Sequence, residues 1–255
     1  MHDERRPDAI ARHTPQATIA SRGCPVGCHF CIVPAMEGRE FTLLPDFPVR
    51  PILCDNNLSA LPPEYQQHII DRYLASGVPL KDANSGFEPM TFTSEVYQRW
   101  KPLVNAPWRD EAGKLQKAGP WRFALDETAE LPQVRRVMRM LADEPQSRKR
   151  VYVLIGNEPF DDCMRRIQEV IDGGCEPHVQ PLMKLNALDK EPWVRHDWTA
   201  DRLRQVARWA NSWSWKRCTF AEWDPKRNNS RPARYDAAQG LFIHPEATWA
   251  HTMPA

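Results

Sequence analysis

The stretch "RVYVLIGNEPFDDCMRRIQEVIDGG", residues 150–174, is the part of the sequence that indicates the fold most directly. Five apolar residues run from Val151 to Ile155, and Gly156 then interrupts them, which is typical of a buried strand that ends in a turn. Residues 161–174 begin with two aspartates and end with two glycines, a pattern that favours a helix with an acidic first turn. The stretch therefore predicts one strand–helix unit.

The same alternation of strand and helix patterns occurs on both sides of this unit. We predict further strands over residues 17–23, 51–57, 78–87, 121–128 and 176–185, and further helices over 64–77, 94–104, 129–143 and 200–215. Strands that alternate with helices favour an α/β fold with a parallel sheet flanked by helices. About six units suit a partial, open (β/α)6 barrel of the TIM-like kind, and a doubly wound sheet is the main alternative. Both architectures gather active groups beyond the carboxyl ends of the strands.

The chain divides into three predicted segments. Residues 1–16 are polar and are predicted to form a flexible N-terminal segment, residues 17–215 the core domain, and residues 216–255 a C-terminal extension packed on the core. Six of the ten tryptophans lie between Trp193 and Trp223. This Trp-rich region predicts either a helical extension that packs its aromatic side chains against the sheet or a stacking surface for a nucleobase.

The composition excludes several classes of protein. An apolar content of 42% and a charged content of 26% are those of a globular chain. A net charge of +1 provides no overall basic surface for nucleic acid, although a local basic patch stays open as an alternative. No long apolar run predicts a membrane span, and residues 1–13 lack the apolar region of a secretory signal. We therefore expect a cytoplasmic protein without a membrane partner.

The segment "SRGCPVGCHFC", residues 21–31, places Cys24, Cys28 and Cys31 in one short loop. In a reducing compartment such a cluster indicates metal or redox chemistry, and thiolates suit zinc, copper(I) or iron–sulfur clusters. A structural zinc site usually takes a second, distant ligand pair, which the sequence lacks. A [4Fe–4S] cluster with three cysteine ligands would leave one iron open, as a catalytic cluster needs. Four other cysteines are scattered and are predicted to be small buried hydrophobes: Cys54, Cys163, Cys175 and Cys218.

The cysteine segment resembles the Cys-x3-Cys-x2-Cys signature of the radical S-adenosylmethionine superfamily, in which an aromatic residue, here Phe30, precedes the last cysteine. Its flanks are similar to those of methylthiotransferases and cobalamin-binding members, with Ser-Arg-Gly-Cys-Pro before the loop and Pro34 and Gly38 after it. The accessory domains of those members have no counterpart in this sequence. The resemblance therefore covers a core alone, residues 17–215, and extends over most of it by strand–helix order rather than by sequence.

The resemblance implies a function for the three cysteines. Cys24, Cys28 and Cys31 would bind three irons of a [4Fe–4S] cluster, and the fourth iron would bind S-adenosylmethionine. An electron from an external flavodoxin- or ferredoxin-like donor would then cleave this cofactor to methionine and a 5′-deoxyadenosyl radical. The radical would abstract hydrogen from a small-molecule or nucleotide substrate, such as a tRNA base. The alternative is a non-catalytic iron–sulfur protein that transfers electrons or senses redox state, for which a fourth cysteine is the usual ligand.

The resemblance also implies contacts to S-adenosylmethionine near the strand ends. The predicted contact residues are Phe30, Asp55, Asn56, Asn57, Asp126, Glu127, Ile155, Gly156 and Glu158. Residues 55–57 occupy the place of the superfamily's Gly-Gly-Glu segment, and their alternative role is a turn that ends a strand. Asp126 and Glu127 have an alternative as N-terminal acids of a helix, and Ile155 as an ordinary buried strand residue. Glu88 is a candidate substrate contact.

Overall fold

The structure is a computed structural model, and it describes residues 14–84, 86–184 and 191–226 together with two short strands at 234–236 and 241–243. Most of the predicted N-terminal segment, residues 1–16, lies outside the described residues. The same is true of much of the predicted extension over residues 216–255. In the described part of the chain, no helix is both long enough and apolar enough to cross a membrane.

Strands and helices alternate along the described chain. The strands are β1 (Ala17–Thr18), β2 (Ser21–Arg22), β3 (Thr42–Leu43), β4 (Ile52–Leu53), β5 (Asp82–Ala83), β6 (Trp108–Arg109), β7 (Leu115–Gln116), β8 (Trp121–Leu125), β9 (Lys149–Ile155), β10 (Glu176–Pro181), β11 (Arg234–Asp236) and β12 (Leu241–Ile243). The helices are α1 (Val33–Met36), α2 (Pro63–Ser76), α3 (Ser94–Val104), α4 (Leu131–Met140), α5 (Phe160–Asp172) and α6 (Ala200–Asn211).

Six parallel strands follow one another in chain order. Strands β1, β4 and β5 form one parallel sheet, and β8, β9 and β10 form a second. A parallel bridge between Phe87 and Phe123 joins the two sheets, and the Phe87 amide donates to the Arg122 carbonyl at 2.9 Å. A doubly wound sheet would reverse its strand order at one point, and this array does not, which argues against that alternative. The described strands do not close on themselves, and the open barrel stays a prediction.

Gly86 makes the junction between the two sheets sterically possible. Its φ is +77°, in the left-handed region that favours glycine, and a Cβ at this position would lie 2.4 Å from the Arg122 carbonyl oxygen. The backbone of residues 86–87 can therefore approach β8 closely only because residue 86 has no side chain.

The β9–α5 unit shows how the sequence builds each layer. Along β9 the side chains are alternately buried and partly exposed, and Val151, Val153 and Ile155 enter the core. Helix α5 begins after Pro159, carries two aspartates in its first turn and ends at Asp172, directly before Gly173. Its buried face covers the sheet, so the apolar spacing of the sequence becomes the core of an α/β layer.

Not every apolar residue of the predicted elements is buried. Leu74, near the end of α2, is 62% exposed, because the face of this helix toward the core is formed by Ile69, Ile70 and Tyr73. Of the C-terminal tryptophans, Trp198, Trp209 and Trp223 belong to the hydrophobic core, and Trp193 and Trp213 are each 40% exposed. Packing therefore explains the three buried members of the Trp-rich region.

Candidate functional site

The cysteine loop is shaped by glycines in the left-handed region. Gly23, Gly27 and Gly38 have φ values of +85°, +68° and +87°. A Cβ at Gly23 would lie 2.1 Å from the Glu40 carbonyl oxygen, so the outgoing and returning arms of the loop pass too close for any other residue there. The Cys24 amide donates to the Gly38 carbonyl at 3.3 Å and ties the same two arms together.

Glu37 closes this loop through its carboxylate. One oxygen accepts from Arg22 Nη1 at 2.7 Å, and the other accepts from the Gly23 amide at 3.1 Å and from Asn56 Nδ2 at 2.7 Å. Burial of Glu37 acts to raise its pKa, but these hydrogen bonds and the Arg22 charge outweigh burial and hold the pKa below its usual value. One ionised side chain therefore joins β2, the returning arm of the loop and the turn after β4.

The three thiols of the loop are free and partly exposed. Cys31 Sγ accepts from the Val33 amide at 3.5 Å, and Cys24 Sγ lies 3.8 Å from Asn57 Nδ2. Burial, followed by the charges of Asp126 and Glu88 and then of the other two cysteines, raises the pKa of the Cys28 thiol to about 12. Cys28 thus lies in negative surroundings at the carboxyl ends of β5 and β8.

The arrangement and the surroundings of the three thiols indicate whether the loop is suited to binding a metal group. Among the residues that the structure describes, no three histidine, cysteine or acidic side chains are arranged so as to hold a metal ion. The donor chemistry does fit: three thiols share one loop, thiolate is a soft ligand, and a bound cation would offset the negative charges that surround Cys28. The fit therefore comes from the kind and number of donors and from their charge environment.

Residues 55–57, predicted as cofactor contacts, have structural partners in this arrangement. Asp55 is fully buried and accepts from the Ala20 amide at 2.8 Å and from the Ser21 hydroxyl. Burial raises its pKa to about 6, although both hydrogen bonds act in the opposite direction. Asn56 donates to Glu37 and Asn57 to Cys24. Asp55 thus connects β2 with the turn after β4, and the two asparagines stabilise the cysteine loop through the hydrogen bonds that they donate.

Asp126 and Glu127, at the end of β8, have different surroundings. Glu127 takes part in a capping box with Glu130, which matches the alternative role of a helix N-terminal acid. Its carboxylate also lies 3.6 Å from His29 Nδ1, which brings the cysteine loop over the end of β8. Burial, followed by the charge of Glu130, raises the pKa of Asp126 to about 7. Asp126 is therefore a partly buried acid beside the cysteine loop, with a pKa of about 7.

The predicted contacts at the end of β9 are mostly occupied within the protein. Glu158 accepts from the Thr128 hydroxyl at 2.9 Å and pairs with Arg166 Nε at 2.9 Å. Ile155 is fully buried in the core, and Gly156 has a φ of +92° at the turn that follows. Phe30 lies in the cysteine loop, in edge contact with His29 at 4.9 Å between ring centroids. Phe30 and Asp126 therefore lie at the cysteine loop, whereas Glu158 connects β9 with the segment after β8.

A polar cavity of about 460 Å³ opens on the face of the parallel array opposite the apolar core. It is lined in part by Asn84, Ala124, Asp126, Tyr152, His178 and Gln180. These side chains share one face because strand residues alternate, and the register pairs Ala124 with Tyr152 and Tyr152 with His178. Asp126 belongs both to this cavity and to the surroundings of Cys28, so the cavity and the cysteine loop meet at this residue.

Paired charges lie beneath the cavity. Arg122 Nε donates to Asp82 at 2.6 Å, and Arg122 also donates to the Tyr152 hydroxyl; Arg150 donates to Glu176 at 3.0 Å. Burial acts to lower the pKa of Arg122, but Asp82 outweighs it and the pKa is raised. Each guanidinium group therefore has a carboxylate partner, and the base of the cavity carries charges that balance one another.

Sequence reasoning did not identify Glu37 or the cavity residues on β9 and β10. A signal for the cavity was present: Tyr152 carries a hydroxyl within the apolar run of β9, and His178 and Gln180 alternate with the buried Val179 in β10. Such polar residues at every second position mark the open face of a strand. No comparable signal existed for Glu37, whose partners are set by the path of the loop.

Comparison of the chain with protein-family models, curated proteins and solved structures finds no match. The resemblance to the radical S-adenosylmethionine superfamily is thus carried by the cysteine segment and the strand–helix order.

Proposed function

We propose that this chain is a radical S-adenosylmethionine enzyme with a [4Fe–4S] cluster bound by Cys24, Cys28 and Cys31. The observation that carries the proposal is the position of Cys28: the thiol lies among acids at the carboxyl ends of β5 and β8, next to a polar cavity. Active groups of parallel α/β arrays gather at these strand ends. When bound, the cluster would supply the electron that cleaves S-adenosylmethionine to methionine and a 5′-deoxyadenosyl radical.

The protein's own residues contribute binding, orientation and exclusion of water. Glu37 and the glycines keep the loop closed, so that the three thiols remain on one short arc. Asn57 points an amide donor at Cys24 Sγ, and hydrogen bonds to thiolate sulfur tune such clusters. Asp126, with a pKa of about 7, can hold or release a proton at its carboxyl oxygen beside the cavity. The cavity provides the space in which a substrate would be held.

Two other roles proposed from the sequence stay linked to this function. A flavodoxin- or ferredoxin-like donor would deliver the electron, and the substrate would be a small molecule or a nucleotide. The cytoplasm is the compartment in which free thiols such as these stay reduced.

The test is anaerobic reconstitution with iron and sulfide, reduction, addition of S-adenosylmethionine and measurement of 5′-deoxyadenosine. We expect iron-dependent absorbance and formation of 5′-deoxyadenosine. A redox carrier would show the cluster but neither product nor a change in its paramagnetic spectrum when the cofactor is added. A zinc module would show one tightly bound zinc and no iron-dependent absorbance. Either of the last two results would refute the proposal that this protein is a radical enzyme.

A matched pair of cysteine variants sharpens this test. Cys28→Ala should lose both the cluster and 5′-deoxyadenosine formation, because one of the three proposed ligands is removed. Cys218→Ala should keep both, because Cys218 lies near Ser214 and outside the loop. Loss of iron in the Cys218 variant would contradict the assignment and would indicate a second cluster.

A further inference from the structure

The polar cavity of the parallel array has a composition that indicates what it binds. Its lining includes two carboxamides, Asn84 and Gln180, a phenol, Tyr152, and an imidazole, His178. Each of these groups both donates and accepts hydrogen bonds when neutral. The volume of about 460 Å³ lies within the range of small-molecule sites.

The described cationic groups next to the cavity already have carboxylate partners. Arg122 is held by Asp82, and Arg150 by Glu176, so neither guanidinium is left without a carboxylate partner for an incoming anion. Burial, followed by the charges of Arg150 and Arg122, lowers the pKa of His178, which disfavours the imidazolium form. Asp126 also lines the cavity, and its carboxylate would repel an anionic ligand.

Two rings inclined to each other form part of the cavity lining. Tyr152 and His178 meet edge to face, with 4.8 Å between ring centroids. Gln180 follows His178 on the same face of β10, two residues further along the strand. A planar ligand can therefore stack on a ring and place a hydrogen-bonding edge against a carboxamide.

We infer that the cavity binds a planar ligand that carries no negative charge and has a hydrogen-bonding edge, a carboxamide or a nucleobase-type heterocycle, and that Gln180 contacts this edge. The inference deepens the proposed function, because such a ligand would be the substrate moiety held beside Asp126 and the cysteine loop.

Two probes that share one ring test the inference: nicotinamide, which is neutral, and nicotinate, which is anionic. Binding to the full chain is measured by ligand-observed NMR titration at pH 7. We expect saturable binding of nicotinamide with a Kd on the order of 1 mM, the usual range for a ligand of this size. Nicotinate should bind at least about tenfold more weakly, because its carboxylate would lose hydration beside Asp126 without gaining a cationic partner.

A matched pair of glutamine variants locates the binding. Gln180→Leu should weaken nicotinamide binding at least about fivefold, because the edge of the ligand loses its partner. Gln168→Leu, an exposed position on α5 away from the cavity, should leave binding unchanged. Circular dichroism establishes that both variants are folded.

Four results would overturn the inference: no saturable nicotinamide binding up to about 20 mM, equal or tighter binding of nicotinate, no effect of Gln180→Leu, or an equal loss of binding in Gln168→Leu. These results are distinguishable from failure of the proposed function. If the protein shows the expected nicotinamide pattern but forms no 5′-deoxyadenosine, the inference about the cavity is supported and the proposed radical enzyme is refuted. If it forms 5′-deoxyadenosine but prefers nicotinate, the proposed enzyme is supported and the inference about the cavity is refuted.

Discussion

Replacement of Glu37 by glutamine tests how the cysteine loop is held. One carboxylate oxygen accepts from Arg22 and the other from both the Gly23 amide and Asn56. A glutamine that keeps its oxygen toward Gly23 and Asn56 must turn its amide group toward the guanidinium of Arg22, so the bond to Arg22 is lost. The two side chains are only 21% and 11% exposed, so solvent replaces little of this interaction.

The loss of stability follows from the kind of hydrogen bond. The bond to Arg22 joins two charges and contributes about 1.5–3 kcal/mol, and each remaining bond loses about half its strength when the acceptor becomes neutral. We therefore expect Glu37→Gln to reduce the free energy of unfolding by about 3 kcal/mol. In a protein of this size, that corresponds to a decrease of about 6–12 °C in Tm.

Urea denaturation of the reduced protein measures this change, and Glu40→Gln is the matched control. Glu40 is exposed on the same loop arm, so its substitution should change stability by less than about 0.5 kcal/mol. The folded pKa of Glu37 is lowered, so its contribution is present above the unfolded pKa of about 4.5 and is lost as the pH falls through the folded pKa. Glu37→Gln should therefore differ from wild type at pH 7 and not in strong acid. Variants of Glu37 and Glu40 that unfold within about 1 kcal/mol of each other at pH 7 would refute this account.

Two further substitutions probe the array that carries the site. The pKa of Asp55 is raised from 3.8 to about 6, so its contribution to stability is fully present below about pH 4 and is lost as the pH rises through 6. Between pH 4 and 7, the free energy of unfolding of the wild type should fall by up to about 3 kcal/mol relative to that of Asp55→Asn. A stability difference between the two proteins in urea denaturation that does not change with pH would contradict this. Gly86→Ala should cost at least about 2 kcal/mol more than Gly113→Ala, because both positions have positive φ but only Gly86 faces the Arg122 carbonyl. Equal losses of stability in the two glycine variants would contradict this reasoning, because they would show that the backbone at the junction of the two sheets shifts to accommodate a side chain.

Elements with strong periodicity or end signals could be predicted from the sequence. Helix α3 has the predicted bounds, because Thr93 accepts from the Val96 amide at its start and the apolar spacing persists to Val104. Strand β9 ends at Ile155, directly before Gly156, as the interruption of the apolar run predicts. The hairpin of β2 and β3 was not predicted, because strands of two residues carry no periodicity.

The candidate site could be predicted only in part. The thiols were identified by spacing, and Asp126 by its place after an apolar strand. Whether an acid at a strand end is available depends on partners that are distant in sequence, which local patterns do not encode. Glu158 illustrates this, because Arg166 reaches it from within the next helix. Asp55 likewise depends on Ala20, 35 residues away.

The acidic side chains at the strand ends therefore differ in their hydrogen-bond and ion-pair partners. This difference separates the acids that stabilise the fold from those that lie at the candidate site. Glu158 is held by an arginine and by Thr128, and Glu127 by a capping box, so both stabilise the turns after their strands. Asp126 and Glu88 lie close enough to raise the pKa of Cys28. They are neighbours because the bridge between Phe87 and Phe123 joins the two sheets directly before them. The same junction thus sets the separation between the cysteine loop and the cavity. For this reason a substitution that opens it, such as Gly86→Ala, should reduce both iron retention and nicotinamide binding, although Gly86 touches neither group.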